Sequence, residues 1–293
     1  YRIGDPDFQA YHHDLYRGMG RLWVMEQQPG PVNWAKYNPI PVKGAVRLWS
    51  WEAFAHDAEV VSYFRWRQAP YAQEQMHAGL MYRDNTPAPG QEEANQVSEE
   101  LKKIAMPATE QSPIALVHDY EACWMTELDG QTHDFHYTRL LLDFYKAVRM
   151  NGGSLDIVAK NTDFTGYKLV IVPSFVHFQE EDLQRVIKSG AQILAGPRTG
   201  IKTPDFQLPP ELSLEGLGFQ VRRVDALPRD LPVPVEWNGV KGKFSVWREH
   251  GLTSGVSEGK SSDGIAVLTS GNQGSYLCGW PDQKLLNAIM KNQ

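Results

Sequence analysis

The sequence predicts an α/β protein built in two successive parts. Short apolar runs typical of buried parallel strands alternate with segments of helical periodicity along most of the chain. A polar, proline-flanked stretch, PATEQSP at Pro107–Pro113, interrupts this alternation, which restarts after it. The first part has the pattern of the end of a β/α repeat, and the second that of a mostly parallel, doubly wound sheet. We place the predicted boundary between residues 106 and 107.

The composition is that of a folded globular protein. The 293 residues are 42% hydrophobic and 22% charged, enough for one large or two medium domains with real cores. The net charge of −6 argues against nucleic acid or an anionic membrane as the main partner. No apolar run reaches the roughly 18 residues of a transmembrane helix.

Two features bear on compartment and processing. The two cysteines, Cys123 and Cys278, stand in unrelated contexts, which excludes a disulfide framework and a cysteine-rich zinc site. Their scarcity favours a reducing, cytoplasmic compartment. The sequence begins at Tyr1 in the middle of a pattern and without a basic-then-apolar leader, so we expect a fragment or a processed chain.

The first part contains two predicted strands, each followed by a helix. The strands are RLWVME (21–26) and VVSYFRW (60–66), and the helices are Lys43–Glu59, of about four turns, and Glu92–Met106. In the second helix acidic residues come first and basic residues last, as the helix dipole favours.

The second part repeats the alternation and then changes character. Residues 204–260 are proline-rich and irregular, which predicts β-hairpins and long loops, and residues 264–280 predict a closing hairpin before a last short helix. The elements predicted earlier in this part are the strands IALVHDY, SLDIVAK, KLVIVPS and AQILAG and the helices 134–153 and 179–190.

Glu26 is the first candidate functional residue. It ends an apolar run and is followed by Gln27, Gln28, Pro-Gly-Pro and Trp34 in RLWVMEQQPGPVNW. In a β/α barrel the carboxyl ends of strands face the active-site mouth, so a carboxylate there is held by a rigid strand, and the two glutamines can donate hydrogen bonds that keep it ionised. Two interpretations stay open, a catalytic carboxylate and a solvated surface acid.

The next strand and its loop supply further candidates. Glu74 and His77 are three residues apart, so on one helical turn they would face the same way and could bond adjacent sugar hydroxyls. Glu74 and His77 could also supply two ligands of a metal site, but no third ligand is evident. For Arg65 and Arg67 we expect structural salt bridges.

Several stretches resemble glycoside hydrolase family 42 β-galactosidases. They are LWVMEQQPGPVNW, GAVRLWSWEAFAHDAEVVSYFRWRQAPYAQEQMHAGL, ALVHDYEACWM and ILAGPRTG. The resemblance implies that residues 1–106 are the last β/α units of a (β/α)8 TIM barrel. Residues 107–293 would be a flavodoxin-like, glutamine-amidotransferase-like α/β trimerisation domain of a homotrimer.

The resemblance also implies roles for individual residues. Glu26 matches the nucleophile in the family's Met-Glu-Gln motif, and Trp34 matches the tryptophan that lines the galactose subsite. Phe64 matches an aromatic near the sugar, and Glu74 and His77 match the pair that bonds galactose hydroxyls. The implied substrate is a terminal β-D-galactoside, and no cofactor is expected in this chain.

The sequence departs from the family pattern in one respect. Hydrolysis with retention needs two carboxyl groups, and the family's acid/base is a glutamate after an asparagine on an earlier strand. No Asn-Glu pair occurs in this sequence, and the family's cysteine-rich zinc cluster also has no counterpart. The resemblance therefore implies a β-galactosidase fragment with half of the catalytic pair. The alternative is a non-catalytic α/β oligomerisation module.

The second part also resembles the sheet of class I glutamine amidotransferases, which use a cysteine at a strand-to-helix elbow. Ser174 stands near such an elbow but lacks the Gly-x-Ser-x-Gly pattern, and Cys123 follows the first strand instead. Gly196 and Gly200 in AGPRTG lack the lysine and spacing of a phosphate loop. We therefore expect this part to pack against a neighbour rather than to catalyse.

Overall fold

The computed structural model describes residues 3–210, 212–214 and 216–293, without the side chains of residues 212 and 213. The chain forms two compact units, the first ending at Glu110 and the second beginning at Gln111. The predicted boundary lies just before this division, in an exposed segment without secondary structure (104–111). Among the described helices, none combines the length and the apolar character needed to cross a bilayer.

The first unit contains two successive βα units. Strands β1 and β2 are adjacent and parallel, as in neighbouring units of a β/α barrel. The elements in order are α1 (Pro6–Arg17), β1 (Leu22–Gln27), α2 (Ala45–Ala55), β2 (Ala58–Tyr63) and α3 (Pro89–Leu101).

The predicted boundaries in this unit were wrong by several residues. Helix α2 ends at Ala55, and Asp57 then adopts a left-handed conformation (φ 71°), so the predicted fourth turn does not form and Glu59 belongs to β2. Helix α3 begins at Pro89, because proline lacks an N–H and its fixed φ suits the first helical turn. We did not predict α1, whose start is capped by Asp5.

Small and large apolar side chains hold α2 against the strands. One cluster joins Leu22 of β1, Ala53 of α2 and Ala58 of β2, and Val24, Phe54 and Val61 pack around it. A second cluster, Ala45, Val46 and Trp49, lies against Tyr63 at the end of β2. The hydroxyl of Tyr63 shares a 2.7 Å hydrogen bond with buried Ser50. These contacts fix the carboxyl end of β2.

The second unit is built on one 12-stranded sheet, in which β4, β3, β5, β6 and β13 are parallel and the remaining pairs are antiparallel. The elements are β3 (Ile114–Val117), α4 (Tyr120–Leu128), α5 (Tyr137–Met150), β4 (Leu155–Val158), β5 (Leu169–Val172), α6 (Glu180–Lys188), β6 (Gln192–Ala195), β7 (Leu212–Ser213), β8 (Phe219–Ala226), β9 (Val233–Trp237), β10 (Val240–Thr253), β11 (Val256–Ser261), β12 (Ala266–Ser270), β13 (Ser275–Leu277), β14 (Gly279–Pro281) and α7 (Gln283–Lys291).

The parallel strands, the closing hairpin β12–β13 and the last helix follow the prediction. Of the β-hairpins and long loops predicted over 204–260, the hairpins are present, as in β9–β10, whereas the long loops were wrong for most of the stretch. That stretch contains β10, a strand of 14 residues that pairs with β8, β9 and β14. The charged residues of β10 interrupt the apolar pattern typical of a strand. The strand is stabilised by pairing with its neighbours in the sheet rather than by its local sequence. Helix α4 was also not predicted, although Asp119 caps it by accepting a hydrogen bond from Ala122 N.

Candidate active site

Glu26 lies at the carboxyl end of β1 with its side chain exposed. Gln27, the next residue, is buried and opposite Tyr63 in the parallel register with β2. The amide of Phe64 then donates to the carbonyl oxygen of Gln27 at 3.1 Å. Because the two strands are parallel, Glu26 and Phe64 lie at the same edge of the strand pair.

The loops that follow β1 and β2 contact each other. The amide of Ala78 donates to the carbonyl oxygen of Pro31 at 2.9 Å. At the start of α3, a Cβ added to Gly90 would lie 2.0 Å from the carbonyl oxygen of Pro29, so only glycine allows this approach. The Pro-Gly-Pro turn after Glu26 is thereby held against the loop that carries Glu74 and His77.

Phe64, Arg65, Glu74 and His77 form one cluster after β2. Nη2 of Arg65 donates to Oε2 of Glu74 at 2.6 Å, and its guanidinium carbon lies 4.6 Å from the Phe64 ring centroid. The ring of His77 packs edge-on against Phe64 with centroids 5.3 Å apart. Glu74 has a left-handed backbone conformation (φ 56°). Glu74 and His77 therefore share a tight turn instead of the predicted helical turn. The turn is closed by His77 N, which donates to Glu74 O at 3.0 Å.

Buried polar atoms without partners accompany this cluster. His77 is 1% exposed, and neither ring nitrogen has a hydrogen-bond partner among the described residues. The same holds for Nε of Arg65 and Oδ1 of Asn33. Buried polar groups are normally paired with protein or ordered water. These atoms are also enclosed, so a sugar hydroxyl can reach them only where the surrounding loop opens. Asn33 was not predicted from the sequence, where its one signal is its position directly before Trp34.

Trp34 lies in the β1–α2 loop, apart from the cluster. Its side chain is 69% exposed and, within the described part of the chain, makes no hydrogen bond or ring contact. The turn after it is closed by Asn38, whose Oδ1 accepts from Ala35 N at 3.1 Å and whose Nδ2 donates to Ala35 O at 3.0 Å. The indole therefore offers a flat apolar face to a ligand.

The two arginines after β2 differ in their partners. The salt bridge predicted for Arg65 is confirmed, since it pairs with Glu74. The one predicted for Arg67 was wrong, because its Nη1 donates to the neutral side chain of Asn85 at 2.8 Å. The side-chain amide of Gln27 is buried and donates to the carbonyl oxygen of Gln28 at 3.5 Å, the limit for such a bond.

Two cavities lie among the loops of the first unit. One, of about 740 Å³, is lined mainly by apolar residues of both loops, including Pro31, Val42 and Met76, and by none of the five residues predicted for the site. The other, of about 480 Å³, is lined by Arg65, Trp66 and nearby residues of the β2–α3 loop. The second cavity adjoins the Phe64–His77 cluster through Arg65, and it too is lined by none of the five predicted residues.

The nucleophile candidates of the second unit lie in unsuitable surroundings. Burial and the nearby carboxylate of Glu127 raise the pKa of Cys123 to about 11, so its thiol is protonated and weakly nucleophilic near neutral pH. Ser174 is buried, and its hydroxyl has no hydrogen-bond partner, hence no activating base, among the described residues.

Family models match both units. The model for glycoside hydrolase family 42, described as β-galactosidase, matches residues 2–104, and that for the β-galactosidase trimerisation domain matches residues 112–272. The chain belongs to glycoside hydrolase family 42. The fold class predicted from the sequence is thereby confirmed.

Relatives extend this family 42 assignment over the whole chain. A β-galactosidase of a Thermus species is 47% identical over 99% of the chain and 46% of its own length. The crystal structure of a β-galactosidase from psychrophilic Marinomonas ef1 matches with a TM-score of 0.93 at 42% identity, covering 99% of this chain and 47% of that one. A Halorubrum lacusprofundi β-galactosidase matches with a TM-score of 0.92 at 34% identity, covering 99% and 46%. The chain thus spans about half the length of the relatives it matches.

Proposed function

We propose that this chain is part of a retaining β-galactosidase that hydrolyses terminal β-D-galactosides with Glu26 as nucleophile. The observation that carries the proposal is the parallel pairing of β1 and β2, through which Glu26 and the Phe64–His77 cluster share one edge. Support also comes from the relatives, whose names describe β-galactosidases.

In this mechanism a carboxylate oxygen of Glu26 attacks the anomeric carbon while the bond to the leaving oxygen breaks. A second carboxyl group protonates that oxygen, and a galactosyl ester forms on Glu26. Water, deprotonated by the second group, then attacks the anomeric carbon and releases galactose and the free carboxylate. We propose that the second carboxyl group belongs to a part of the enzyme that this sequence does not include. The chain spans 46% of the length of the Thermus relative, and it contains no Asn-Glu pair. These steps need no cofactor.

The other predicted residues would bind the sugar. Oε2 of Glu74 is held by Arg65, which leaves Oε1 to accept from a galactose hydroxyl. His77 would bond an adjacent hydroxyl once the loop that encloses its ring nitrogens opens, while Phe64 supports the imidazole. Trp34 would cover an apolar face of the ring and exclude water.

Assembly and location complete the proposal. We propose a homotrimer, because residues 112–272 match a trimerisation domain. We also propose a cytoplasmic location, because Cys123 and Cys278 are free thiols, the form that a reducing compartment favours. The rival hypothesis, a non-catalytic oligomerisation module, is favoured by the same trimerisation domain but leaves the unpartnered polar atoms around His77 without a role.

The test is mechanism-based labelling of the longest natural chain that carries this sequence. The protein is incubated with a 2-deoxy-2-fluoro-β-galactoside, and peptide mass spectrometry locates the adduct. We expect one fluorogalactosyl mass on the peptide that holds Glu26, absent in Glu26→Gln and retained in Glu99→Gln, an exposed carboxylate of the same unit. Turnover with the label elsewhere would remove Glu26 from its role, and neither turnover nor label would favour the oligomerisation module.

A further inference from the structure

Polar side chains converge at the carboxyl edge of the parallel strands in the second unit. These strands lie in the order β4-β3-β5-β6, so the chain leaves β3 toward one side of the sheet and continues from β5 toward the other. The carboxyl ends of β3 and β5 therefore flank a topological switch point, where open α/β sheets bind ligands.

Three potential metal ligands meet at this point. Asp119 and Glu121 lie at the start of α4, just after β3, and His177 lies between β5 and α6. Nε2 of His177 is 3.7 Å from Oδ1 of Asp119 and 3.4 Å from Oε2 of Glu121. One donor atom from each of the three residues lies within 4.8 Å of the other two.

The two distances from Nε2 of His177 come close to the donor spacing in the coordination sphere of a small divalent cation. Bonds of about 2.0–2.2 Å from zinc to imidazole nitrogen or carboxylate oxygen, in a tetrahedral arrangement, separate neighbouring donors by about 3.3–3.6 Å. One imidazole and two carboxylates are a donor set that zinc accepts, whereas magnesium prefers an all-oxygen octahedron.

His177 is buried and turns Nε2 toward the two carboxylates. The imidazole is only 5% exposed, its edge rests against Phe175, and Nδ1 has no partner among the described residues. The ammonium of Lys160 lies 3.3 Å from Nε2 and 3.1 Å from Oε2 of Glu121. In the tautomer that carries its proton on Nδ1, Nε2 accepts from the Lys160 ammonium and presents to the cluster the lone pair that a metal-binding histidine uses.

We propose that Asp119, Glu121 and His177 bind one zinc-like divalent cation, which displaces the ammonium of Lys160. Lys160 is partly exposed and extends from the end of β4, so its side chain can withdraw into solvent while the three ligands keep their places. The metal would tie the start of α4 to the β5–α6 connection. We expected no metal in this chain from its sequence. The three ligands come from segments far apart in sequence, so no local spacing marks them.

The test compares zinc binding by matched variants of the longest natural chain that carries this sequence. After removal of bound metal with a chelator, zinc chloride is titrated by calorimetry into wild type, Glu121→Gln, Lys160→Met and the control Glu181→Gln. Glu121 is 61% exposed, so its substitution leaves folding intact, and Glu181 is an exposed carboxylate on neighbouring α6.

We expect Glu121→Gln to lose one equivalent of zinc per chain, or to bind it at least about tenfold more weakly, while Glu181→Gln matches wild type. Lys160→Met should bind the same equivalent at least about tenfold more tightly, because no competing cation must leave. Zinc-soaked crystals should show an anomalous peak between the three residues, and magnesium should not compete. Equal zinc binding in wild type and Glu121→Gln, or no gain in Lys160→Met, would overturn the proposal and leave a closed ion-pair network.

Discussion

Arg65 donates from Nη2 to Oε2 of Glu74 across 2.6 Å, and its guanidinium lies over the ring of Phe64. The arginine thus joins two residues predicted to contact the sugar, although we predicted for it only a structural salt bridge. Under the proposed function it is a positioning residue, because it acts through Glu74 and Phe64.

Substitution of Arg65 tests this positioning role. Lysine keeps the charge but not the planar fork, so we expect Arg65→Lys to lower kcat/KM for a β-galactoside about tenfold, and Arg65→Met about a hundredfold. Most of the loss should appear in KM if Glu74 binds the ground state as well as the transition state. The control is Arg67→Lys, since exposed Arg67 contacts only the side chain of Asn85 among the described polar partners. Equal losses for both arginines would contradict the assignment.

The close contact between Gly90 and Pro29 predicts a large effect of one methyl group. An alanine Cβ at position 90 would lie 2.0 Å from the carbonyl oxygen of Pro29, so the loop after Glu26 must move. We expect Gly90→Ala to lower the free energy of unfolding by about 2–4 kcal/mol. Urea denaturation measures this loss, and Ser98→Ala, at an exposed position of the same helix, serves as the control. A Gly90→Ala protein as stable as Ser98→Ala would show that the contact is absent in solution.

His13 predicts a loss of stability in mild acid. Burial first, and then the neighbouring His56, lower the pKa of His13 from 6.5 to about 4, against the opposing effect of Asp14. The unfolded chain therefore binds a proton that the folded chain excludes, and the folded state loses stability as the pH falls from about 6.5 to about 4. The full shift would correspond to about 3 kcal/mol, and solvent screening of this partly buried group reduces the expected contribution to about 1–2 kcal/mol. Urea unfolding across this range should show a weaker pH dependence in His13→Gln but not in His12→Gln; identical profiles for all three proteins would refute it.

Glu249 is a fully buried carboxylate with three hydrogen-bond donors. Oε1 accepts from Arg198 N at 2.9 Å and Trp247 Nε1 at 3.1 Å, and Oε2 accepts from Tyr276 OH at 2.7 Å. A glutamine can keep all three bonds if the tyrosine hydroxyl accepts instead. We therefore expect Glu249→Gln to change the free energy of unfolding by less than about 1 kcal/mol, and Glu249→Ala to cost about 3–5 kcal/mol.

The same residue predicts an opposite pH dependence. Burial raises the pKa of Glu249 above 4.5 despite the opposing hydrogen bonds from Tyr276 and Trp247. The folded state thus holds a proton that the unfolded state releases, so the carboxyl destabilises the fold as the pH rises above about 4.5. Glu249→Gln, which mimics the protonated form, should be free of this decline in a urea unfolding series. A decline of the same size in both proteins would exclude Glu249 as its source.

Local pattern predicted the parallel half of the second unit better than the antiparallel half. The strands Ile114–Val117 and Leu169–Val172 are almost wholly buried, so uninterrupted apolar runs mark them. Strand Val240–Thr253 has exposed lysines and a buried glutamate, and its stability comes from partners distant in sequence. Such pairing leaves no periodic signal in the strand itself.

The sequence by itself determined that the chain is α/β, that it divides near residue 107, and that Glu26 ends a strand. These properties depend on apolar periodicity and turn residues, which act over a few positions. Only the tertiary structure decided that the ring of His77 is buried without a hydrogen-bond partner among the described residues, that Arg65 holds Glu74, and that Asp119, Glu121 and His177 meet. Burial and distance between side chains depend on which segments the sheet brings together, and no local pattern records that.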